Sequence, residues 1–350
     1  MQRASVRRVV IQAIVACLVV GGRMSIAHGA QAQVTMPADD RARLVEAFRL
    51  ADAIGDRLWT GWSTAPFAVL LVTPEREFLV RHPRPSGDFV AVGTDPQLGG
   101  SVLARPRQFE VGLLASFPAV GGVPTIVTGQ PANTAAKRST AWVLTMLHEH
   151  FHQWQTSQPG YYDRVNALGL ARGDTSGGWM LNYAFPYGET GVQVQFAAMC
   201  ARLNEAVQAP EGDGPAQLAA LRAYLDAKRA IAALVSGDDY RYMNFQLWQE
   251  GVSRYTELLV ADLATAGYTP SAAFAALPDV TRYASEGEAL RHRLAVQLGT
   301  VKLGEMRRTA FYAVGAAEAL LLDRLDPSWR ERYTASAFSL DGLLETAARP

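Results

Sequence analysis

Ser139-Thr140-Ala141-Trp142-Val143-Leu144-Thr145-Met146-Leu147-His148-Glu149-His150-Phe151-His152-Gln153-Trp154-Gln155-Thr156 is the stretch around which the rest of the chain is organised. Its apolar spacing predicts a helix over 139–156. Trp142, Val143, Met146, Leu147, Phe151 and Trp154 spread around most of the circumference, so the core should grip this helix on several sides. The remaining face carries Leu144, His148, His152 and Gln155. His148 and His152 are four residues apart and leave a helix on one side, one turn apart, where two neutral imidazoles can converge on a single zinc ion. Glu149 then stands beside the ion rather than on it, placed to take a proton from a water at the metal and pass it to a leaving group. His150 points off that face and reads as a surface histidine or as a support for a ligand.

Working outward, the two flanks differ in texture. Pro37-Ala38-Asp39-Asp40 starts a helix that runs on through Leu44, Phe48, Ile54 and Leu58 to about Trp59. Between Pro66 and Gly129, short apolar runs at 67–72, 78–80, 89–92, 109–111 and 125–127 are broken by Pro and Gly, the pattern of strands joined by turns. After 139 the reading is helical, with segments at 191–208, 215–235, 243–266, 284–299 and 305–325. Pro215 fits a first helical turn, and Gly237 and Gly267 fit C-terminal stops. Asp174 to Glu189, rich in Gly and aromatic residues, reads as an ordered loop that either lines a cleft or caps a core. Strands followed by helices make an α+β protein, with a small N-terminal sheet packed on the histidine helix and a mostly helical C-terminal half. Residues 33–138 supply the first helix and the sheet, 139–350 the helical part with the zinc site, and 33–350 together form one catalytic unit.

Met1 to Ala32 has the layout of an export signal: Arg3, Arg7 and Arg8, an apolar run from Val9 to Val20, then Ala30-Gln31-Ala32 at a signal-peptidase spacing. The run is short for a membrane span. Lipid attachment at Cys17 is disfavoured by Arg7 and Arg8 close before it and by apolar residues that continue past it. The expectation is a periplasmic or secreted protein of 318 residues, with 29 basic against 33 acidic side chains and no stable membrane span. That balance lacks the concentrated basic surface nucleic acid requires. Without Cys17, Cys200 has no intrachain partner, so disulfides do not hold the exported chain together. In Phe196-Ala197-Ala198-Met199-Cys200 it reads as a small buried hydrophobe. Nothing in the sequence fixes an oligomeric state.

A catalytic zinc needs a third protein ligand and an open position for water. Glu250 is the foremost candidate, in Phe245-Gln246-Leu247-Trp248-Gln249-Glu250-Gly251-Val252-Ser253-Arg254-Tyr255-Thr256-Glu257. Glycine inside a helix costs about 1 kcal/mol relative to alanine, and a ligand helix passing close to the histidine helix would give Gly251 a reason. The two motifs together resemble the gluzincin branch of zinc metallopeptidases, the thermolysin-like superfamily, in which a His-Glu-x-x-His helix is followed by a helix of the type Trp-x-x-Glu-Gly-x-x-x-Tyr-x-Glu. Glu250, Gly251, Tyr255 and Glu257 stand in that register, with Trp248 two rather than three residues before Glu250 and Ser253 where a small alanine is often found. The resemblance covers two helices and implies His148, His152 and Glu250 as ligands of one zinc per chain, with Glu149 as base, on a zincin-like scaffold. The interval from His152 to Glu250 is long for that family and contains two rival ligands: Glu205, in Asn204-Glu205-Ala206, and Glu189 on the aromatic loop. A metzincin pattern is excluded by Gln155 and Gln158, where glycine and histidine would stand.

Stabilisation of a developing oxyanion calls for a Tyr, His or Arg, and Tyr187, Arg254, Tyr255 and Tyr312 are open to that role. Glu257 and Asp262 are carboxylates able to orient a ligand imidazole. The leading expectation is an exported zinc metallopeptidase acting on a peptide or protein held by strand addition along an edge at Thr125-Ile126-Val127. The alternatives are a zinc hydrolase of non-peptide amides or cell-wall material, and a non-catalytic binding protein with a degenerate site.

Overall fold

The computed structural model describes residues 34–210 and 212–349; the export signal expected over 1–32, with Cys17, lies outside the described residues. Helix α1 (Ala38–Leu58) opens with Asp39 and Asp40 in its first turn, where negative charge offsets the helix dipole. Six strands follow: β1 (Val69–Val72), β2 (Arg76–Val80), β3 (Val90–Asp95), β4 (Gly100–Pro106), β5 (Leu114–Val120) and β6 (Val123–Gly129). They lie side by side in the order β3-β4-β2-β1-β6-β5, with β1 and β6 parallel and the other neighbours antiparallel.

Four of the five expected strands fall within this sheet, and the fifth does not form. Residues 109–111 make a turn whose Phe109 N–H donates to the buried carboxylate of Glu77. Two strands were not expected. β4 is bounded by glycine and proline, and β5 contains Pro118, which a strand tolerates at a sheet edge because no ladder partner needs its missing N–H. The consequence corrects the substrate-binding expectation. Thr125-Ile126-Val127 sits in β6, paired on one side with β1 and on the other with β5, so it has no free edge to offer. The edge on that side of the sheet is β5.

The helical half comprises, among its longer elements, α2 (Ser139–Ser157), α3 (Thr190–Gln208), α4 (Gly214–Leu234), α5 (Gly237–Gln246), α6 (Val252–Gly267), α7 (Tyr283–Gly299) and α8 (Ala310–Leu325). Gly237 begins α5 rather than ending α4, because Ser236 and Asp239 form a reciprocal capping box there. A π-helical turn, Leu247–Gly251, joins α5 to α6. The segment expected from 305 starts later: a short turn at Leu303–Met306 is separated from α8 by Arg307, whose φ is +50°. Among the described residues no helix is long and apolar enough to cross a membrane.

α2 packs against α6, α1 and the β5–β6 side of the sheet, and every residue from Met146 to Gln155 is buried. One apolar core runs through the sheet and the helices, joining Trp59, Phe67 and Ile126 to Trp142, Phe151, Trp248, Tyr255 and Phe311. The aromatic loop caps that core: Tyr183 stacks on Tyr242 at 4.4 Å, and Trp179 and Phe185 meet Phe245 and Phe311 at 5.2 and 5.3 Å. Cys200 is fully buried within it, and burial pushes its thiol up. α8 is tied down by a buried ion cluster in which Lys228 Nζ lies 2.6 Å from both Glu318 and Asp341.

Candidate metal centre

His148 and His152 leave the same side of α2, their rings 5.0 Å apart centre to centre. Opposite them the π turn presents Glu250. Its Oε2 lies 3.8 Å from His148 Nε2 and 3.4 Å from His152 Nε2, and one donor atom from each of the three residues falls within 4.8 Å of the others. Donors held at about 2.1 Å from a tetrahedral zinc stand about 3.4 Å from one another, so the two contacts to Glu250 are close to the edges of such a tetrahedron.

The surroundings fix which imidazole nitrogens face the carboxylate. Gln155 donates through Nε2 to the Gln249 carbonyl at 3.1 Å and to the Tyr333 hydroxyl at 2.6 Å, which leaves its Oε1 as acceptor for His152 Nδ1 at 2.7 Å. His152 Nε2 is thereby turned toward Glu250. His148 Nδ1 is buried without a formed hydrogen bond, and Glu257 Oε2 stands 3.5 Å away, held by Arg254 at 2.6 Å. A carboxylate behind one ring nitrogen, with the other nitrogen directed at the donor cluster, is the arrangement that orients a metal-ligating histidine.

The charges tell the same story. Burial alone would lower the basicity of His148, but Glu250 and then Glu257 outweigh it and raise the ring to about 9. Burial would raise Glu250, yet the two histidines hold it well below the usual carboxylate range. The cluster therefore demands positive charge between its donors, and either protons or a divalent cation can supply it. Two imidazole nitrogens and one carboxylate suit zinc. Glu149 is buried next to the cluster and burial pushes its carboxyl up, against the pull of His152 and His148; the backbone N–H of Ser116 in β5 faces it.

The other sequence candidates separate clearly. Glu205 is exposed and paired with Arg202, and Glu189 is an exposed residue just before α3, so neither rival joins the histidines. Tyr255 is a core residue: its hydroxyl bonds Asp323 and its ring packs on Trp329 at 5.6 Å. Asp262 pairs with Arg291 and orients no ligand. Arg254 acts on Glu257. Tyr187 is buried, with its ring against Phe185 and Phe311 and with Arg307 over it. Tyr312 does reach the cluster: the charge of Glu250 acts on its hydroxyl, which receives a hydrogen bond from Arg308.

Two readings are corrected. His150 is not at the surface: its ring lies 3.8 Å from that of Phe67 and stacks beside Trp62. Gln153 donates to the carbonyls of Ala68 and Pro124 and accepts from His150 Nδ1 at 3.0 Å. Gly251 permits a close approach, but to α8 rather than to α2. A Cβ at 251 would stand 2.4 Å from the Gly315 Cα, and one at 315 would stand 2.2 Å from the Leu247 carbonyl oxygen. This paired-glycine crossing seats the π turn that carries Glu250; such turns recur at functional sites. Arg308, Gly315 and Ser116 were not anticipated.

Comparison of the chain with family models, with curated proteins and with solved structures finds no match.

Proposed function

We propose that the protein is an exported zinc-dependent hydrolase, and that it acts as a metallopeptidase. The observation that carries this reading is the convergence of His148, His152 and Glu250 beside the buried, proton-hungry carboxylate of Glu149. His148, His152 and Glu250 would hold the ion, which when bound supplies Lewis acidity toward a carbonyl oxygen and lowers the pKa of water.

The chain's own groups do the rest. Glu149 takes a proton from the attacking water and returns it to the leaving nitrogen, a task suited to a carboxyl whose pKa is raised by burial. The Tyr312 hydroxyl, held by Arg308, donates to the oxyanion as it develops. Glu257 orients His148, and Gln155 orients His152. The exposed edge of β5 beside Glu149 offers backbone groups to an extended chain, the mode by which strand addition binds peptides. Glu149→Gln tests the scheme: zinc content is expected to stay at the wild-type level while turnover of a fluorogenic peptide falls roughly 10²- to 10⁴-fold. Full activity in that variant would remove Glu149 as the base.

A further inference from the structure

We propose that the substrate carries a carboxylate beside the bond to be cut and that Arg308 receives it; this rests on the hydrolase reading above. Arg308 lies in the linker Arg307–Thr309 at the start of α8, with Nη1 3.8 Å from Glu250 Oε1 and a hydrogen bond to Tyr312. A guanidinium has five N–H donors in a flat fork that matches a carboxylate. Those of Arg308 beyond the Tyr312 bond have no hydrogen-bond partner among the described residues, and 28 % of the side chain is exposed. Arg307 next to it makes no ion pair among the described residues and rests over the Tyr187 ring, 5.1 Å from its centre.

Charge accounting points the same way. Three carboxylates define the site, Glu149, Glu250 and Glu257. Arg254 pairs with Glu257, and Arg308 lies against Glu250. Two of the three carboxylates thus already have a guanidinium against them, so a divalent cation set against Glu149 alone would leave the site with a surplus of about one positive charge. Sharing of Glu250 with that cation would also loosen its hold on Arg308. A neutral peptide leaves this surplus uncompensated among partly buried side chains, where it costs more than in water. A carboxylate at the position Arg308 faces compensates it. The carboxylate can be the C-terminus of a chain or an acidic side chain next to the scissile bond.

The test is a titration of the full-length, zinc-loaded Glu149→Gln protein with an N-acetylated trialanine as free acid, with the same peptide as C-terminal amide, and with an amide bearing glutamate in the last position. At least one anionic peptide is expected to bind roughly ten- to a hundredfold more tightly than the neutral amide. A preference for the free acid assigns the C-terminal carboxylate, and a preference for the glutamyl amide assigns the side chain. In an added Arg308→Gln background the advantage should shrink to about threefold or less, while Arg308→Lys should keep part of it and shows that loss is not misfolding. Equal affinities for the three peptides, no binding of any, or a preference that survives Arg308→Gln would overturn the proposal. Wild-type protein that binds the anionic peptide preferentially but never cleaves it would instead remove the peptidase reading and leave the carboxylate site standing.

Discussion

His148 and His150 sit two residues apart on one helix, both buried, and their surroundings are opposite in kind. His150 has an apolar setting and a bonded Nδ1: its ring stacks with Phe67 and Trp62, Nδ1 is bonded to Gln153, and burial pushes its pKa down to about 4. His148 is incomplete: Nδ1 lacks a formed hydrogen bond, Nε2 faces a carboxylate, and neighbouring acids raise the ring to about 9. Burial alone does not separate a structural histidine from a ligand. What separates them is whether the protein already satisfies the ring's polar atoms or gathers charge that calls for something more.

The sharpest way to break this contrast is on the incomplete side. Glu250→Gln removes the charged donor, so zinc affinity measured by competition with a chelating dye should fall by more than the ten- to hundredfold that loss of an outer partner costs. A change smaller than tenfold would show that the π turn does not supply a ligand. Glu257→Gln, acting through His148, is expected to fall within that ten- to hundredfold range; an unchanged affinity would reduce Glu257 to a partner of Arg254 alone.

The His148 side of this contrast was legible in the sequence and the His150 side was not, and the failures have physical causes. The spacing of apolar residues gave α2, and the i, i+4 histidines with Glu149 followed from helical geometry. Glu250 was legible because a glycine inside a predicted helix needs a reason. The reason named was the wrong neighbour, since Gly315 lies far along the chain and nothing local announces a glycine-to-glycine crossing. The same distance hides the burial of His150, which depends on Phe67 and Trp62 arriving from another part of the chain. β4 and β5 were missed because their glycine and proline residues carry the local signature of turns, while the ladder that makes them strands is long-range. Arg308 stood out in no way among thirty arginines.

Two smaller effects sharpen the account. Gly315→Ala forces apart α8 and the π turn, at a cost of about 1–3 kcal/mol in unfolding free energy, and should weaken zinc binding by displacing Glu250. Stability lost with zinc affinity intact would separate the crossing from the site. His150→Phe keeps the stack and strands Gln153 Oε1, for a loss of about 1 kcal/mol, with zinc stoichiometry unchanged. Because the folded-state pKa of His150 is depressed, the unfolded chain takes up this proton first. Wild-type stability should therefore decline as pH falls from 6.5 toward 4, and its advantage over His150→Phe should shrink across that window. A loss of zinc in this variant would mean that the two sides of α2 are not independent.

The central claim is the three-residue ligand set, and zinc analysis with X-ray absorption on tag-free, full-length protein tests it most directly. The account predicts about one zinc per chain, bound by two nitrogens and one carboxylate oxygen at roughly 2.0–2.2 Å, with the remaining position open to solvent. Purified protein that holds less than roughly a tenth of a zinc per chain when zinc is supplied, or a bound zinc whose coordination is unchanged in Glu250→Gln, would contradict it.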